Sequence, residues 1–226
     1  ISACLVGSEM CIRDSIMDML SFIYLVAIAA EAASGAIMGM RRNMDLFGLC
    51  FIGTVTALGG GSVRDMLLGH YPLGWVAHPE YLAFTIGAAV AAAALARQAY
   101  RVKGAFLLLD AMGLVAFTVI GCNIAAEAGV HVVIVVLMGL ITGIFGGLLR
   151  DVLCNQVPLV LRRDLYASVS LVTGVIYVGL QQGGMAQGQA MLAALVVGFA
   201  MRMLAIRFNW ALPVFKAEHV RGFDED

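Results

Sequence analysis

A glycine-rich segment that ends in an Arg-Asp pair occurs twice in this chain, each time within strongly apolar sequence. The first copy spans residues 59–65 (GGGSVRD) and the second spans residues 145–151 (FGGLLRD), 86 positions later. The same offset, without gaps, aligns Gly35 with Gly121 and also Pro72 with Pro158. A constant offset of this kind indicates a duplicated unit. Glycines and charges are costly inside a membrane, so the motif is the first candidate for a functional site.

The apolar character of the chain is typical of a polytopic membrane protein. Of its 226 residues, 62% are hydrophobic and 13% are charged, and the mean hydropathy is +0.93. A membrane-spanning helix needs about 20 apolar residues. The sequence therefore predicts an all-α integral membrane protein with seven transmembrane helices, here called spans 1 to 7. They run over residues 19–40, 46–68, 81–99, 105–126, 130–153, 165–180 and 189–206.

The repeat unit contains three spans, so its second copy enters the membrane from the opposite side. This predicts two inverted three-helix repeats, with span 7 as an unpaired addition. The first repeat is expected over residues 17–103, the second over 104–187, and the seventh helix over 188–208, followed by a cytoplasmic tail over 209–226. Residues 1–16 lack the features of a signal peptide. They resemble translated adapter sequence, and we expect the natural chain to start at Met17.

The distribution of Lys and Arg predicts the orientation of the chain. Basic residues follow spans 1, 3, 5 and 7, whereas the loops after spans 2, 4 and 6 contain neither Lys nor Arg. By the positive-inside rule, the basic loops are cytoplasmic, the N-terminus is outside and the C-terminus is inside. No nucleic-acid partner is indicated, and the five cysteines show no pairing or metal-binding spacing.

The glycines of the duplicated motif have two interpretations. Small residues recur every four positions in spans 2 and 5, which is typical of close helix packing in lipid. Consecutive glycines at 59–61 and 146–147 are harder to explain by packing, because each costs about 0.8–1.0 kcal/mol relative to alanine in a helix. They predict a kink or break in each span. A broken helix is tolerated where its freed backbone groups line a polar path.

The charged pairs Arg64-Asp65 and Arg150-Asp151 also have two interpretations. They either mark helix ends, with Arg reaching the headgroups, or act as gates at the two mouths of a pathway. By symmetry, Arg64 is expected toward the outer face and Arg150 toward the inner face. Glu31 lies deep in span 1, where a buried or pathway role is expected, whereas Asp110 is consistent with an interfacial position. The candidate polar residues of the pathway are Glu31, Ser34, Thr56, Asp110, Asn123 and Thr142.

The first motif copy also resembles the nucleotide-cradling string of tRNA nucleotidyltransferases. That chemistry needs metal-binding carboxylates shortly downstream in a soluble α/β domain, and the loop from Tyr71 to Tyr81 supplies only Glu80. The string is also duplicated within membrane spans. We therefore expect no enzyme activity, no catalytic residue, no metal site and no cofactor.

The chain resembles the prokaryotic trimeric intracellular cation channel family in four features. These are the seven spans, the two copies of Gly-Gly-x-x-Arg-Asp, Ser34-Gly35 before the segment at residues 45–48 (DLFG), and Pro72 in the next loop. Its members are also described as glycine transporters. The resemblance implies a homotrimer in the bacterial inner membrane, in contact with lipids, with one pore per protomer that conducts chiefly potassium. It also implies that spans 2 and 5 are kinked at the glycines. The implied pore and gating residues are Gly59, Gly60, Gly61, Arg64, Asp65, Gly146, Gly147, Arg150 and Asp151.

Two other functions remain open from the sequence. A secondary carrier for glycine or a similar small solute would use inverted repeats and broken helices equally well. A membrane scaffold without transport would need only the stripes of small residues. The second motif copy has Phe145 where the first has Gly59, which predicts a tighter second break.

Overall fold

The computed structural model describes residues 2–96, 102–161 and 165–211, with side chains from Met19 onward apart from that of Val102. Most of the predicted cytoplasmic tail, and some of the basic residues that predict the orientation, lie outside these ranges. Within them the regular structure consists of eight α-helices and one short 3-10 helix at Leu159–Leu161. The helices are α1 (Ser2–Arg41), α2 (Leu46–Leu68), α3 (Gly74–Ala77), α4 (Glu80–Ala96), α5 (Val102–Glu127), α6 (Val132–Leu153), α7 (Tyr166–Gln182) and α8 (Gln187–Phe208).

Five of these helices contain segments that are long and apolar enough to cross a membrane. The segments are Met19–Arg41, Leu46–Leu68, Lys103–Glu127, Val132–Leu153 and Gln187–Phe208. The predicted spans 3 and 6 correspond to α4 and α7, which have 17 residues each and are shorter than a full crossing. The part of span 3 beyond Ala96 lies outside the described residues. The four-residue helix α3 was not predicted.

Close contacts between small residues join α1 to α2 and α5 to α6. A Cβ added at Gly35 in α1 would lie 2.8 Å from the Cα of Gly53 and 2.9 Å from the carbonyl oxygen of Ile52 in α2. In the same way, a Cβ at Gly121 in α5 would lie 2.9 Å from the carbonyl oxygen of Met138 in α6. Backbones that approach this closely leave no space for a side chain, so these glycines are explained by packing.

Helices α2 and α6 cross at the glycines of the duplicated motif. A Cβ at Gly60 would overlap the carbonyl oxygen of Thr142, and a Cβ at Gly146 would overlap the carbonyl oxygen of Thr56. The two contacts are equivalent under the sequence offset of 86, which relates Gly60 to Gly146 and Thr56 to Thr142. Each half of the chain therefore presents a glycine to the other half's threonine backbone.

The glycines do not break the helices, so this part of the predicted kink or break is wrong, whereas a kink within each helix stays a prediction. α2 runs without interruption from Leu46 to Leu68, and α6 runs from Val132 to Leu153. The tighter second break predicted from Phe145 is therefore also absent. The cost of glycine in a helix is offset here by the backbone contact that glycine alone permits.

Both helices end in the same way just after the Arg-Asp pair. Gly69 after α2 and Asn155 after α6 adopt positive φ angles of 66° and 49°. The next amide then turns back, so that His70 N donates to the carbonyl of Asp65 and Gln156 N donates to the carbonyl of Asp151, at 2.8 Å each. A left-handed residue is a common way to stop a helix, and here it follows the Asp of each Arg-Asp pair by four positions, so both pairs lie close to a helix end.

Candidate functional site

Arg150 lies at the centre of a buried charged cluster that joins α1, α5 and α6. It is 0% exposed. Its Nε donates to Oδ1 of Asp151 at 2.9 Å, and its Nη1 donates to Oδ1 of Asp110 at 2.7 Å and to Oγ of Ser34 at 3.0 Å. Charged groups are found inside proteins when they are paired and hydrogen-bonded in this way. Asp110 is thus a buried ion-pair partner, and its position near the membrane interface stays a prediction.

Glu31 joins this cluster through Ser34, whose hydroxyl donates to Oε2 of Glu31 at 3.2 Å. The carboxyl group occupies the space left by Gly113 in α5, where an added Cβ would overlap it. The cluster therefore contains three carboxyl groups, from Glu31, Asp110 and Asp151, around the single guanidinium of Arg150. An excess of carboxylate over guanidinium gives a local environment that favours cations.

Two buried polar atoms of the cluster have no hydrogen-bond partner within the described part of the chain. They are Oδ2 of Asp110 and Nη2 of Arg150. A Cβ at Gly147 would lie 2.9 Å from the hydroxyl of Tyr166, 3.5 Å from Arg150 Nη2 and 3.8 Å from Asp110 Oδ1, so the glycine lets these polar groups approach α6 closely. Buried polar atoms are ordinarily satisfied by protein or water, so the two unpartnered atoms set this cluster apart from an ordinary ion pair.

Three aromatic and basic side chains extend the cluster toward one end of the protein. The guanidinium of Arg150 lies 4.7 Å from the ring centre of Phe106, and that of Arg202 lies 4.7 Å from the ring centre of Tyr166. The hydroxyl of Tyr166 donates to Oδ1 of Asp110 in a long hydrogen bond of 3.4 Å. Arg202 on α8 is thereby linked to Arg150 on α6 through a buried tyrosine and a buried carboxylate.

A cavity of about 390 Å³ opens at this end, and we call it the basic cavity. The residues that define it are Arg41, Lys103, Asp151 and Arg202, from four different helices. The carboxylate of Asp151 on its wall is already engaged, since Oδ1 accepts from Arg150 and Oδ2 accepts from the amide of Leu159 at 2.8 Å. Three basic side chains therefore dominate the charge of the basic cavity.

The first motif copy forms a smaller cluster. Arg64 donates through Nε and Nη2 to Oδ1 of Asp65, at 2.9 and 2.7 Å. The second oxygen of Asp65 accepts from the amide of Gly74 at 3.3 Å, and His70 Nδ1 lies 3.5 Å from Oδ1. Trp75, the next residue of α3, donates through Nε1 to Oγ of Ser62 at 3.1 Å. In both copies, therefore, the Asp binds its neighbouring Arg with one oxygen and, with the other, the first amide of the short helix that follows.

The two Arg-Asp pairs lie at opposite ends of the helix bundle. The end with Arg150 is also the end of α1, because Arg42 donates to the carbonyl of Asn155 at 2.6 Å. The end with Arg64 lies near the start of α4, where the rings of Tyr24 and Tyr81 pack 4.9 Å apart against the core that contains Leu58. With Arg64 only 5% exposed and Arg150 fully buried, the interpretation that these arginines reach out to lipid headgroups is wrong.

The remaining predicted polar residues divide into two groups. The hydroxyls of Thr56 and Thr142 donate to the carbonyls one turn earlier in their own helices, both at 2.6 Å. They flank the helix crossing, but they do not bind the charged cluster. Asn123 lies in a separate network, where its amide oxygen accepts from Tyr177 at 2.8 Å and from Gln187 at 2.5 Å. Asn123 is therefore bonded in a network apart from the charged cluster that contains Glu31.

The sequence analysis did not identify Tyr166, Phe106 and Arg202 as parts of the site. A tyrosine or phenylalanine in an apolar span carries no distinguishing signal. Arg202 did carry one, since it lies within the apolar segment Gln187–Phe208, and a charged residue at membrane depth is a site candidate by default. It was assigned only to the positive-inside pattern.

The family model described as "Glycine transporter" matches residues 21–97 and 107–182 of this chain. Among related sequences, the UPF0126 inner membrane protein YadS of Escherichia coli (strain K12) is 37% identical over 193 residues, which is 84% of this chain and 93% of that protein. The UPF0126 membrane protein YvgT of Bacillus subtilis is 34% identical over 193 residues, with the same coverage of 84% and 93%.

Solved structures of TRIC channels have the same fold. The TRIC trimeric intracellular cation channel orthologue from Rhodobacter sphaeroides superimposes with a TM-score of 0.82 at 32% identity, over 84% of this chain and 98% of that one. A second structure, described as the structural basis for conductance through TRIC cation channels, superimposes with a TM-score of 0.80 at 33% identity, over 87% of this chain and 97% of that one. These relatives are membrane channels rather than enzymes. The resemblance of the first motif copy to tRNA nucleotidyltransferases therefore does not indicate the function.

Proposed function

This chain belongs to the glycine transporter family, which includes the bacterial TRIC channels, and from that membership we propose that it is a potassium-conducting cation channel of the bacterial inner membrane. It is a multi-pass membrane protein and not an enzyme. The solved relatives at 32% and 33% identity are described as cation channels, and this supports the same general activity here. The named trimeric relative supports a homotrimer, and we propose one pore in each protomer.

The observation that carries the proposal is the pair of buried Arg-Asp clusters at opposite ends of the crossing between α2 and α6. The pathway runs through the protomer along these helices, past Arg64-Asp65 at one mouth and Arg150-Asp151 at the other. The reciprocal contacts of Gly60 with Thr142 and of Gly146 with Thr56 support the inverted-repeat arrangement of the two halves. They also close the middle of the path in this conformation, so conduction requires α2 and α6 to separate.

Uninterrupted helices change the chemistry of the pathway from that expected from the sequence. The carbonyl groups of α2 and α6 are engaged in helical hydrogen bonds, so they are not free to coordinate an ion. The cation is instead bound by side-chain oxygens, and those of Glu31 and Asp110 are the best placed. Arg150 neutralises Asp110 and Asp151 in the closed state, and movement of Arg150 toward Phe106 would expose the carboxylates to a passing cation.

We further propose that the Arg150 end and the basic cavity face the cytoplasm and that the Arg64 end faces outward, in accordance with the positive-inside rule. Arg41, Arg42 and Lys103 lie at the Arg150 end, which supports this assignment.

A flux measurement tests the proposal. Purified protein is reconstituted into liposomes, and potassium flux down a gradient is compared with uptake of labelled glycine in the same vesicles. We expect rapid potassium flux that is indifferent to glycine. The Arg150→Gln variant should change the rate, whereas Arg207→Gln, at an exposed position in the last turn of α8, should not.

The family description favours one alternative function, a carrier for glycine or a similar small solute. Saturable uptake of glycine without a separate potassium leak would support the carrier and refute the channel. If properly inserted protein shows neither potassium flux nor glycine uptake, the channel and the carrier are both refuted and a scaffold role is left.

A further inference from the structure

We propose that the short helix α3 is a lid over the Arg64-Asp65 pair, and that a hydrogen bond from Trp75 to Ser62 is the latch that holds this lid closed. Trp75 is then a positioning residue, because it acts on the path through α3 and Asp65. The lid itself is argued from the contacts of α3, whereas its effect on ion flux rests on the proposed channel function.

The first contact of α3 with the charged pair is a backbone hydrogen bond. The amide of Gly74, the first residue of α3, donates to Oδ2 of Asp65 at 3.3 Å. Since Oδ1 of Asp65 accepts from Arg64, this bond engages the second carboxylate oxygen. The side chain of Arg64 is 7% exposed and that of Asp65 is 2% exposed, whereas Val76 of α3 is 51% exposed. The short helix therefore has the charged pair on one side and the solution on the other.

The second contact is the latch formed by Trp75 and Ser62. Nε1 of Trp75 donates to Oγ of Ser62 at 3.1 Å, and the same hydroxyl donates to the carbonyl of Leu58 at 2.8 Å. Because the hydroxyl hydrogen of Ser62 is bound within α2, its oxygen is left to accept from the indole. The ring of Trp75 also packs against the core cluster that contains Leu58 and Phe117. A tryptophan that is packed along its ring and bonded at its nitrogen fixes the position of α3.

The rest of this loop is held only loosely. The structure describes all of residues 69–79, and eight of these eleven are exposed. The partly buried residues are Leu73, Gly74 and Trp75. Segments with few buried apolar contacts open at a lower free energy than the core does. The contacts of Gly74 and Trp75 therefore determine how often α3 leaves the charged pair.

The latch is confined to the first repeat. The offset of 86 places Leu148 at the position of Ser62 and Leu161 at the position of Trp75. Leucine side chains neither donate nor accept hydrogen bonds, so the second motif copy cannot form the same latch. The bond from a loop amide to the motif Asp, in contrast, occurs in both copies. The latch is thus not a requirement of the repeated fold, and it acts at the Arg64 end.

Opening of the lid would make Asp65 accessible to cations. When α3 moves away, Oδ2 of Asp65 loses the Gly74 amide and faces the solution at the mouth of the proposed pathway. Loss of one neutral hydrogen bond shifts an equilibrium of this kind about two- to tenfold. Removing the latch should raise the open fraction by this factor. Potassium flux should rise by up to the same factor, since ions reach Asp65 only when the lid is open.

Hydrogen exchange measures the opening of the lid directly. A protected N–H exchanges with water at a rate proportional to the open fraction. The chain has two tryptophans, Trp75 and Trp210, so Trp210→Phe leaves a single indole signal in the NMR spectrum and keeps a ring beside Phe208. We call this variant the parent and place it in nanodiscs. The indole N–H of Trp75 and the amide of Gly74 then report on the two contacts separately.

Two pairs of substitutions in the parent remove one contact at a time. Ser62→Ala removes the acceptor of the indole, whereas Ser62→Thr keeps a hydroxyl. Gly74→Pro puts a ring carbon where the amide hydrogen bonds Asp65, whereas Gly74→Ala keeps the amide, and its Cβ would lie at an ordinary 3.8 Å from Oδ2 of Asp65. Proline suits this position, because Gly74 begins a helix and Leu73 before it has a ψ of 146°.

A further control is Thr54→Val, which removes another hydroxyl of α2, one that lies 3.2 Å from the hydroxyl of Thr85 and away from α3. We expect Ser62→Ala to speed exchange of the Gly74 amide about two- to tenfold, although the bond of that amide is untouched. Gly74→Pro should likewise speed exchange of the Trp75 indole. Ser62→Thr, Gly74→Ala and Thr54→Val should keep the rates of the parent.

Three results would overturn the lid: exchange in Ser62→Ala that equals exchange in the parent, changes confined to the contact that each substitution removes, or a change in Thr54→Val as large as in Ser62→Ala. The exchange measurement needs no ion gradient, so the lid and the channel fail separately. Faster exchange in protein that conducts no potassium would refute the channel and keep the lid. Faster exchange with unchanged potassium flux would refute the role of the lid in conduction alone.

Discussion

Alanine substitutions within the glycine run at 59–61 test the crossing of α2 and α6 directly. A Cβ at Gly60 would overlap the carbonyl oxygen of Thr142, and this backbone atom moves only if α6 moves. At Gly61 the nearest heavy atom to an added Cβ is Nη2 of Arg64 at 3.7 Å, which is an ordinary contact. At Gly59 it is Cδ1 of Leu149 at 2.7 Å, the end of a side chain that can rotate away.

These surroundings give the size of the effect. Both Gly60→Ala and Gly61→Ala gain about 0.8–1.0 kcal/mol from the higher helix propensity of alanine. Only Gly60→Ala must also separate two packed helices, and overpacking of this kind costs about 1–3 kcal/mol. The two variants should therefore differ by about 1–3 kcal/mol in the free energy of unfolding, with Gly61→Ala the more stable.

Unfolding with sodium dodecyl sulfate in mixed micelles, followed by circular dichroism, measures this difference. The second half of the chain supplies an internal check, because a Cβ at Gly146 would overlap the carbonyl oxygen of Thr56. Gly146→Ala should thus resemble Gly60→Ala, and Gly59→Ala should fall between Gly60→Ala and Gly61→Ala. Equal free energies for Gly60→Ala and Gly61→Ala would show that α2 and α6 do not approach as described.

Four further substitutions test the charged groups and their hydrogen bonds. Arg150→Gln should destabilise the protein by about 3–5 kcal/mol, because it leaves the buried carboxylates without their cation; adding Asp110→Asn should recover part of the loss in the same unfolding assay. Tyr166→Phe removes only a long hydrogen bond, so we expect a loss of no more than about 1 kcal/mol, and a larger loss would contradict the distance. The pKa of Glu80 is lowered from 4.5, first by its backbone amide and then by His78. The ionised carboxylate of Glu80 therefore stabilises the protein fully above the ordinary pKa, and this stabilisation is lost as pH falls through the lowered pKa. The melting temperatures of wild type and Glu80→Gln should thus converge between about pH 5 and pH 3.

The sequence was sufficient to predict the membrane class, the family and the position of the long helices. Apolar length determines where a span can be, and α2 and α6 have the predicted bounds at Leu46–Leu68 and, within two residues, at Val132–Leu153. The buried environment of Glu31 was also expected, because an acid in the middle of an apolar span is excluded from lipid.

The role of the consecutive glycines was not predictable in the same way. Helix propensity describes a residue in isolation, and it correctly makes Gly60 unfavourable in α2. What offsets this cost is the backbone of Thr142, which is distant in sequence and lies in the other repeat. A local penalty therefore indicated a break, whereas tertiary packing stabilises a continuous helix.

The charged cluster illustrates a second limit. Each of Asp110, Arg150 and Asp151 was recognised as unusual, but sequence spacing could not show that one guanidinium binds two carboxylates from different helices. Nor could it show that Tyr166 connects Asp110 to Arg202, because an aromatic residue in an apolar helix is most often only part of the core.

The backbone contact between α2 and α6 at Gly60 and Gly146 has a mechanical consequence. Two rods that touch near one point can change their angle like scissors, which moves both pairs of ends together, or rock like a see-saw, which opens one pair while closing the other. Scissoring frees the Arg64 and Arg150 ends at the same time, as a channel requires, whereas rocking frees them in turn, as a carrier requires. Spin labels placed on α2 and α6 at each end would distinguish the two motions by whether the two distances rise together or in opposition.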